Sequence, residues 1–127
     1  MAGAKVKYIQ ATNLSVLACA LLAGTLNIAA AGSLAGSEGH KNFNPVMSQS
    51  SKDPCNKAYK AYVAASGHSA YATTPYYRTV DLYIICGAGL NAATQKAAEE
   101  RALKSCETTR SHYKVTSIGI CQVAASK

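Results

Sequence analysis

The sequence predicts a small disulfide-stabilised α+β domain. Its elements run helix, strand, strand, helix, strand, and its antiparallel sheet is packed by an Ala-rich helix. Three observations carry that expectation. An apolar N-terminal stretch has the layout of a targeting segment, so only part of the 127 residues is left to fold. That remainder holds four cysteines, an even number in a short chain. Its apolar residues switch between helical spacing and strict alternation.

Residues 1–13 carry Lys5 and Lys7 and no acid, and from Leu14 to Ala31 every residue is apolar or small and uncharged, ending in Ala29, Ala30 and Ala31. A positive region, an apolar region and an Ala-x-Ala exit form a secretory signal, and cleavage is expected after Ala31. Two other readings fit less well. An uncleaved anchor has barely enough length and is interrupted by Gly24 and Asn27. Lipidation at Cys19 expects the apolar run to stop there, and it continues.

Removing residues 1–31 leaves Cys55, Cys86, Cys106 and Cys121. In an exported chain these read as two disulfides. A zinc site is disfavoured because no Cys-x-x-Cys pair occurs and the histidines lie far from the cysteines in sequence. No metal and no cofactor is expected. Eleven Lys and Arg against six Asp and Glu leave the mature part at +5. That surplus favours an anionic envelope surface, but the scattered charges also serve solubility, and no nucleic-acid partner is expected.

Gly32 to Lys52 is rich in Gly, Ser, Asn and Gln and reads as a flexible leader, short of the apolar side chains that would offset its ordering entropy. The domain proper is then 53–127. Asp53 caps a helix that begins at Pro54, where proline gives up no needed donor. Ala58, Tyr59, Tyr62 and Val63 give it an apolar face to about Ala65. His68 to Thr74 alternates, Ala70 and Ala72 to one side and Ser69, Tyr71 and Thr73 to the other, as a strand stopped by Pro75. Pro75 to Thr79 forms a hairpin loop displaying Tyr76, Tyr77 and Arg78. Val80 to Cys86 alternates as the clearest strand and is closed by Gly87 and Gly89.

Thr94 caps the next helix, which runs to about Glu107. Ala98, Ala102, Leu103 and Cys106 share one face, so small that the helix can lie unusually close to a sheet, while Lys96, Glu100, Arg101, Lys104 and Glu107 share the other. Glu99 falls inside the apolar arc and needs an edge position or a partner such as Arg78. A last strand spans about Thr116 to Ala124.

Cys106, ending the second helix, and Cys121, in the strand returning past it, are natural partners. Cys55 in the first helical turn then joins Cys86 at the end of the central strand. Closing loops of 32 and 16 residues stabilises by about 3 to 4 kcal/mol each in the chain-entropy model.

Cys86-Gly87, the stretch from Thr94 to Cys106 and Cys121-Gln122-Val123 together resemble a group of small exported proteobacterial proteins of uncharacterised function. These share a capped Ala-Ala-x-x-x-Ala-Leu-x-x-Cys helix followed by a strand Cys. The resemblance covers about 40 residues. It implies an α+β fold in a bacterial envelope setting and no reaction. Such proteins often carry an aromatic where this chain has Ala88.

Chemistry for catalysis is sparse. His40, His68 and His112 are separated, and no phosphate-binding Gly loop, metal-spaced His pair or serine elbow occurs. His68 and Asp81 are the least implausible acid–base pair, a small hydrolase being the weakest reading. A non-catalytic binding module is expected, with Tyr76, Tyr77 and Arg78 at a loop tip and Tyr71 and Tyr83 extending the patch across adjacent strands toward another exported protein or the envelope surface. A structural, stress-resistant envelope protein without a ligand is the alternative, with the tyrosines simply covering an open sheet face.

Overall fold

The computed structural model describes residues 32–76, 83–115, 117 and 119–127. The chain divides after Ala31, and all that follows concerns the unit Gly32–Lys127. Its elements are β1 (His40–Lys41), α1 (Pro54–Ala64), β2 (His68–Thr73), β3 (Cys86–Ala92), α2 (Gln95–Tyr113) and β4 (Gln122–Ser126). The strands form one antiparallel sheet in the order β1-β4-β2-β3. The fold is α+β, with a helix on each face of the sheet.

Both helix starts follow from the sequence. The Asp53 carboxylate accepts from the amides of Cys55 and Asn56, and the Thr94 hydroxyl accepts from the amide of Ala97. Alternation along β2 divides the core into two halves. Ala70 and Ala72 face α2 and pack with Ile85, Ala98, Ala102, Cys106 and Cys121. Tyr71 faces the other way and packs with Tyr62, Ala124 and Ala125, covered by Ala58, Tyr59 and Val63 of α1. Each helix is bonded to the sheet on its own side, α1 through Cys55–Cys86 and α2 through Cys106–Cys121.

The second strand differs from expectation. Val80 to Leu82 lie outside the described residues, Tyr83 to Ile85 are not in a strand, and β3 begins at Cys86, where the alternating run was expected to end. Gly87 and Gly89 therefore sit inside the strand, and the reason is α2. A Cβ on Gly87 would lie 2.3 Å from the Cys106 nitrogen, and one on Gly89 would lie 2.2 Å from the Ala98 carbonyl oxygen. The glycines admit the helix backbone instead of ending the strand. Ahead of β3 the ladder continues by one pair, Thr74 donating to the Ile85 carbonyl (2.9 Å) and Ile85 donating to the Thr74 hydroxyl (3.1 Å).

The last two elements also shift. Helix α2 runs to Tyr113 rather than Glu107; Thr109 donates its hydroxyl to the Ser105 carbonyl, and Lys114, in the left-handed region at φ 48°, ends the helix. Strand β4 starts at Gln122 rather than near Thr116. Thr116 and Ile118 lie outside the described residues, and Ile120 is exposed. Glu107 bridges this turn, accepting from the Cys121 amide and from Arg110 (2.7 Å each). The Cys121 amide first, then Arg110, hold its carboxyl below the usual carboxylate range. Glu99 takes Ser126 and Gln95 as partners, through bonds of 2.7 and 3.2 Å.

Residues 32–52 are laid on the domain instead of forming a free leader. His40 and Lys41 pair with Ser126 and Ala125 as the sheet's edge strand. The amide of Gly36 donates to the Val63 carbonyl in the last turn of α1, a group that a helix cannot satisfy internally, and the amide of Leu34 donates to the Ser66 carbonyl just beyond the helix. Lys127 Nζ donates to the carbonyls of Leu34, Ser37 and Val63 and lies 5.3 Å from the centre of the Tyr62 ring. The Tyr62 hydroxyl donates to the Glu38 carbonyl at 2.6 Å. The segment is held largely by main-chain groups, which composition does not reveal, with Phe43 packed against the cluster of Tyr62 and Tyr71.

Candidate functional site

One end of the molecule gathers exposed apolar side chains. It is the end where α1 begins, β3 begins and α2 finishes. The Asp53–Pro54 start brings the first turn of α1 against β3, and the Cys55–Cys86 disulfide fixes it there. A groove of about 580 Å³ opens beside this disulfide. Pro54 and Ala58 of α1 line it, with Ile84 to Ala88 of the β3 segment, Ser105 and Thr109 of α2, and Tyr83, Tyr113 and Val115. A smaller depression of about 450 Å³ adjoins it, sharing Asp53, Cys55, Tyr83 and Ile84 and adding Val46, Met47 and Tyr76.

Tyr83 is 51% exposed and Tyr113 62% exposed, while Val46 and Met47 add aliphatic surface. The Asp53 carboxylate is engaged with the α1 amides, so it acts as a cap. The lining is apolar with a few hydroxyls, the composition of a site that binds through area and takes orientation from a few polar contacts.

Of the residues expected to form a binding patch, Tyr76 and Tyr83 meet in this region. Tyr77 and Arg78 lie outside the described residues. Tyr71 does not extend the patch. It is fully buried, its ring edge-on to Tyr59 at 5.2 Å, because α1 covers the sheet face expected to be open. Among the described residues its hydroxyl has no hydrogen-bond partner; the neighbouring Thr73 hydroxyl is engaged with the Ile85 carbonyl. Burial pushes the Tyr71 hydroxyl up to about 12. Val46, Met47 and Tyr113 were not anticipated. The first two fall in the supposed leader, and Tyr113 lies past the expected end of the second helix.

Of the acid–base pair, Asp81 lies outside the described residues, while His68 is exposed at the far end of β2, opposite Ala92. Among the described residues no three His, Cys, Asp or Glu side chains converge where a metal ion could sit. Cys55, Cys86, Cys106 and Cys121 are all taken up in disulfides. Among the described residues no helix is long and apolar enough to cross a membrane. Comparisons with known protein families, with curated proteins and with solved structures return no match to this chain.

Proposed function

We propose that the chain is an exported, non-catalytic binding module that engages another exported protein through the apolar end built around Tyr83 and Tyr113. The single observation that carries this reading is the groove itself: two half-exposed tyrosines beside an apolar floor, on a rigid frame stapled by Cys55–Cys86. Tyrosine supplies large contact area at low ordering cost, which is why it is enriched at protein interfaces. The apolar lining favours a protein partner over the anionic envelope surface that net charge alone would suggest. Two disulfides in so small a unit support an oxidising compartment, and the resemblance to exported proteobacterial proteins supports a bacterial envelope.

Two measurements test this. Intact mass of the protein recovered from the envelope should correspond to 32–127 with Cys55, Cys86, Cys106 and Cys121 oxidised; a full-length cytosolic species with free thiols overturns export. Immobilised wild type should retain an envelope protein that a Tyr83→Ser, Tyr113→Ser variant releases. Equal retention by both overturns the groove as the binding surface.

A further inference from the structure

We infer that the groove binds its partner as an added β-strand: an extended, largely apolar peptide segment with an acidic end pairs along the outer edge of β3. This rests on the reading of the chain as a binding module and specifies the partner's chemistry.

Strand β3 is the last in the sheet, with β2 its only strand partner among the described residues. The backbone bond from Thr74 to Ile85, with Ala72 opposite Gly87 and Ala70 opposite Gly89, turns the main-chain groups of Ile85, Gly87 and Gly89 toward β2. Alternation in an antiparallel ladder then turns the N–H and C=O of Cys86 and Ala88 outward. They open into the groove, which Cys86, Gly87 and Ala88 line. Among the described residues no strand pairs with these outward donors and acceptors, and apolar walls flank them, the arrangement by which an extended peptide adds to a sheet.

Edges of this kind are ordinarily blunted by charge, proline or shortness. Strand β3 spans Cys86–Ala92 with neither a charged residue nor a proline. The edge is recessed, however, with Pro54 and Ala58 on one wall and Ser105 and Thr109 on the other. A neighbouring strand must approach to about 4.8 Å. A single chain fits between the walls; the equally recessed edge of a second copy is held off by its own helices. Arg101 supplies the charge preference. Its Cβ lies over Gly89, one helical turn before Ser105, and its side chain is exposed, so a carboxylate at that end of the added strand meets a cation.

The test uses the oxidised protein expressed from the full chain and fluorescent eight-residue peptides alternating Val and Thr, with Glu at one end. Fluorescence anisotropy should show saturable binding. N-methylation at peptide positions of one parity should weaken it about tenfold, and at the other parity should leave it unchanged. Ala88→Pro removes an outward N–H and should weaken binding likewise, while Arg101→Glu should reverse the preference between Glu-ended and Lys-ended peptides. Where Ala88→Pro fails to fold, the N-methyl parity on wild type decides alone. No saturable binding, equal effects at both parities, or a homodimer that loss of the Ala88 N–H dissolves would each overturn strand addition. Retention of an envelope protein through Tyr83 and Tyr113 without a parity effect leaves the binding module standing and removes only its strand mode. Equal retention after both tyrosines are replaced removes the module reading itself.

Discussion

A single methyl group placed on Gly89 tests how α2 is seated. The added carbon would meet the Ala98 carbonyl oxygen at 2.2 Å, the Arg101 Cβ at 2.8 Å and the Ala102 nitrogen at 2.9 Å. Two of the three are helix backbone, which no rotamer change can move aside. Reaching ordinary van der Waals contact, at 3.4 Å or more, requires α2 to rise by about 1 Å. A gap of that size forfeits about a quarter to a half of each contact between Ala98, Ala102 and Cys106 and the sheet residues Ala70 and Ala72. We expect Gly89→Ala to cost about 3 kcal/mol, the upper end for overpacking. In a unit of this size that lowers the melting temperature by about 12 to 24 °C in thermal circular dichroism. Gly87→Ala should cost a similar amount, and the double variant less than the two together, because one lift of the helix relieves both clashes. Ala88→Ser, on the opposite side of the strand, should change stability by no more than about 0.5 kcal/mol. The sign makes the experiment decisive. Without a clash, Gly→Ala restricts the unfolded chain and stabilises by about 0.4 to 1 kcal/mol, so a Gly89→Ala variant that melts at or above wild type refutes the close seating of α2.

Replacing either cystine by a serine pair should cost about 3 to 4 kcal/mol in urea denaturation, with loss of Cys55–Cys86 freeing the start of α1 and loss of Cys106–Cys121 freeing the end of α2 in hydrogen exchange. Tyr71→Phe removes a buried hydroxyl without a partner and should raise stability by about 1 kcal/mol at neutral pH; a loss of that size would show that the hydroxyl is satisfied. Because burial raises the Tyr71 hydroxyl from 10 to about 12, the unfolded chain ionises first and wild type loses stability between pH 10 and 12, so the advantage of Tyr71→Phe should widen there, its alkaline decline being the shallower in denaturation titrations. Glu107 behaves oppositely: its lowered pKa makes its contribution complete above the ordinary 4.5 and lost as pH falls through the folded value, so Glu107→Gln should cost about 1 kcal/mol at pH 7 and progressively less as pH falls below 4.5.

Local chemistry made much of the fold legible. The Asp53–Pro54 start, the Thr94 cap, the alternation of β2 and both cystines follow from residues close in sequence or from the count of cysteines. What was misread depends on partners distant in the chain. Gly87 and Gly89 resemble strand ends until a helix nine to nineteen residues away is known to press on them. The Tyr71 side of the sheet is covered because α1 folds over it, and nothing near Tyr71 in sequence records that. Residues 34–43 lack a large apolar set, yet they satisfy the Val63 carbonyl of α1, the Ser66 carbonyl after it and the edge of β4, a role that belongs mostly to peptide groups, with Phe43 as the one large side chain packed on the core. The candidate site divides along the same line. Tyr76, in the expected loop, and Tyr83, in the expected strand, were visible, whereas Val46, Met47 and Tyr113 reach the same surface from segments assigned elsewhere.

The two edges of the sheet are managed differently, and the difference links stability to the proposed function. Strand β1 is only two residues long and carries Lys41, so little main chain is offered there. Strand β3 is seven residues long and uncharged, and its glycines exclude bulk from the face toward α2. Its protection is the depth of the groove, which α2 provides only while it rests on Gly87 and Gly89. The glycines that let the helix sit low therefore also keep an adhesive edge selective for a single thin strand. Lifting α2 in Gly89→Ala should lower that wall and leave the edge open to other folded molecules. We expect this variant to self-associate with rising concentration in analytical ultracentrifugation below its melting temperature, and Arg101→Glu, which leaves the helix seated, to stay monomeric. A destabilised but strictly monomeric Gly89→Ala variant would separate the packing role of these glycines from any role in guarding the edge.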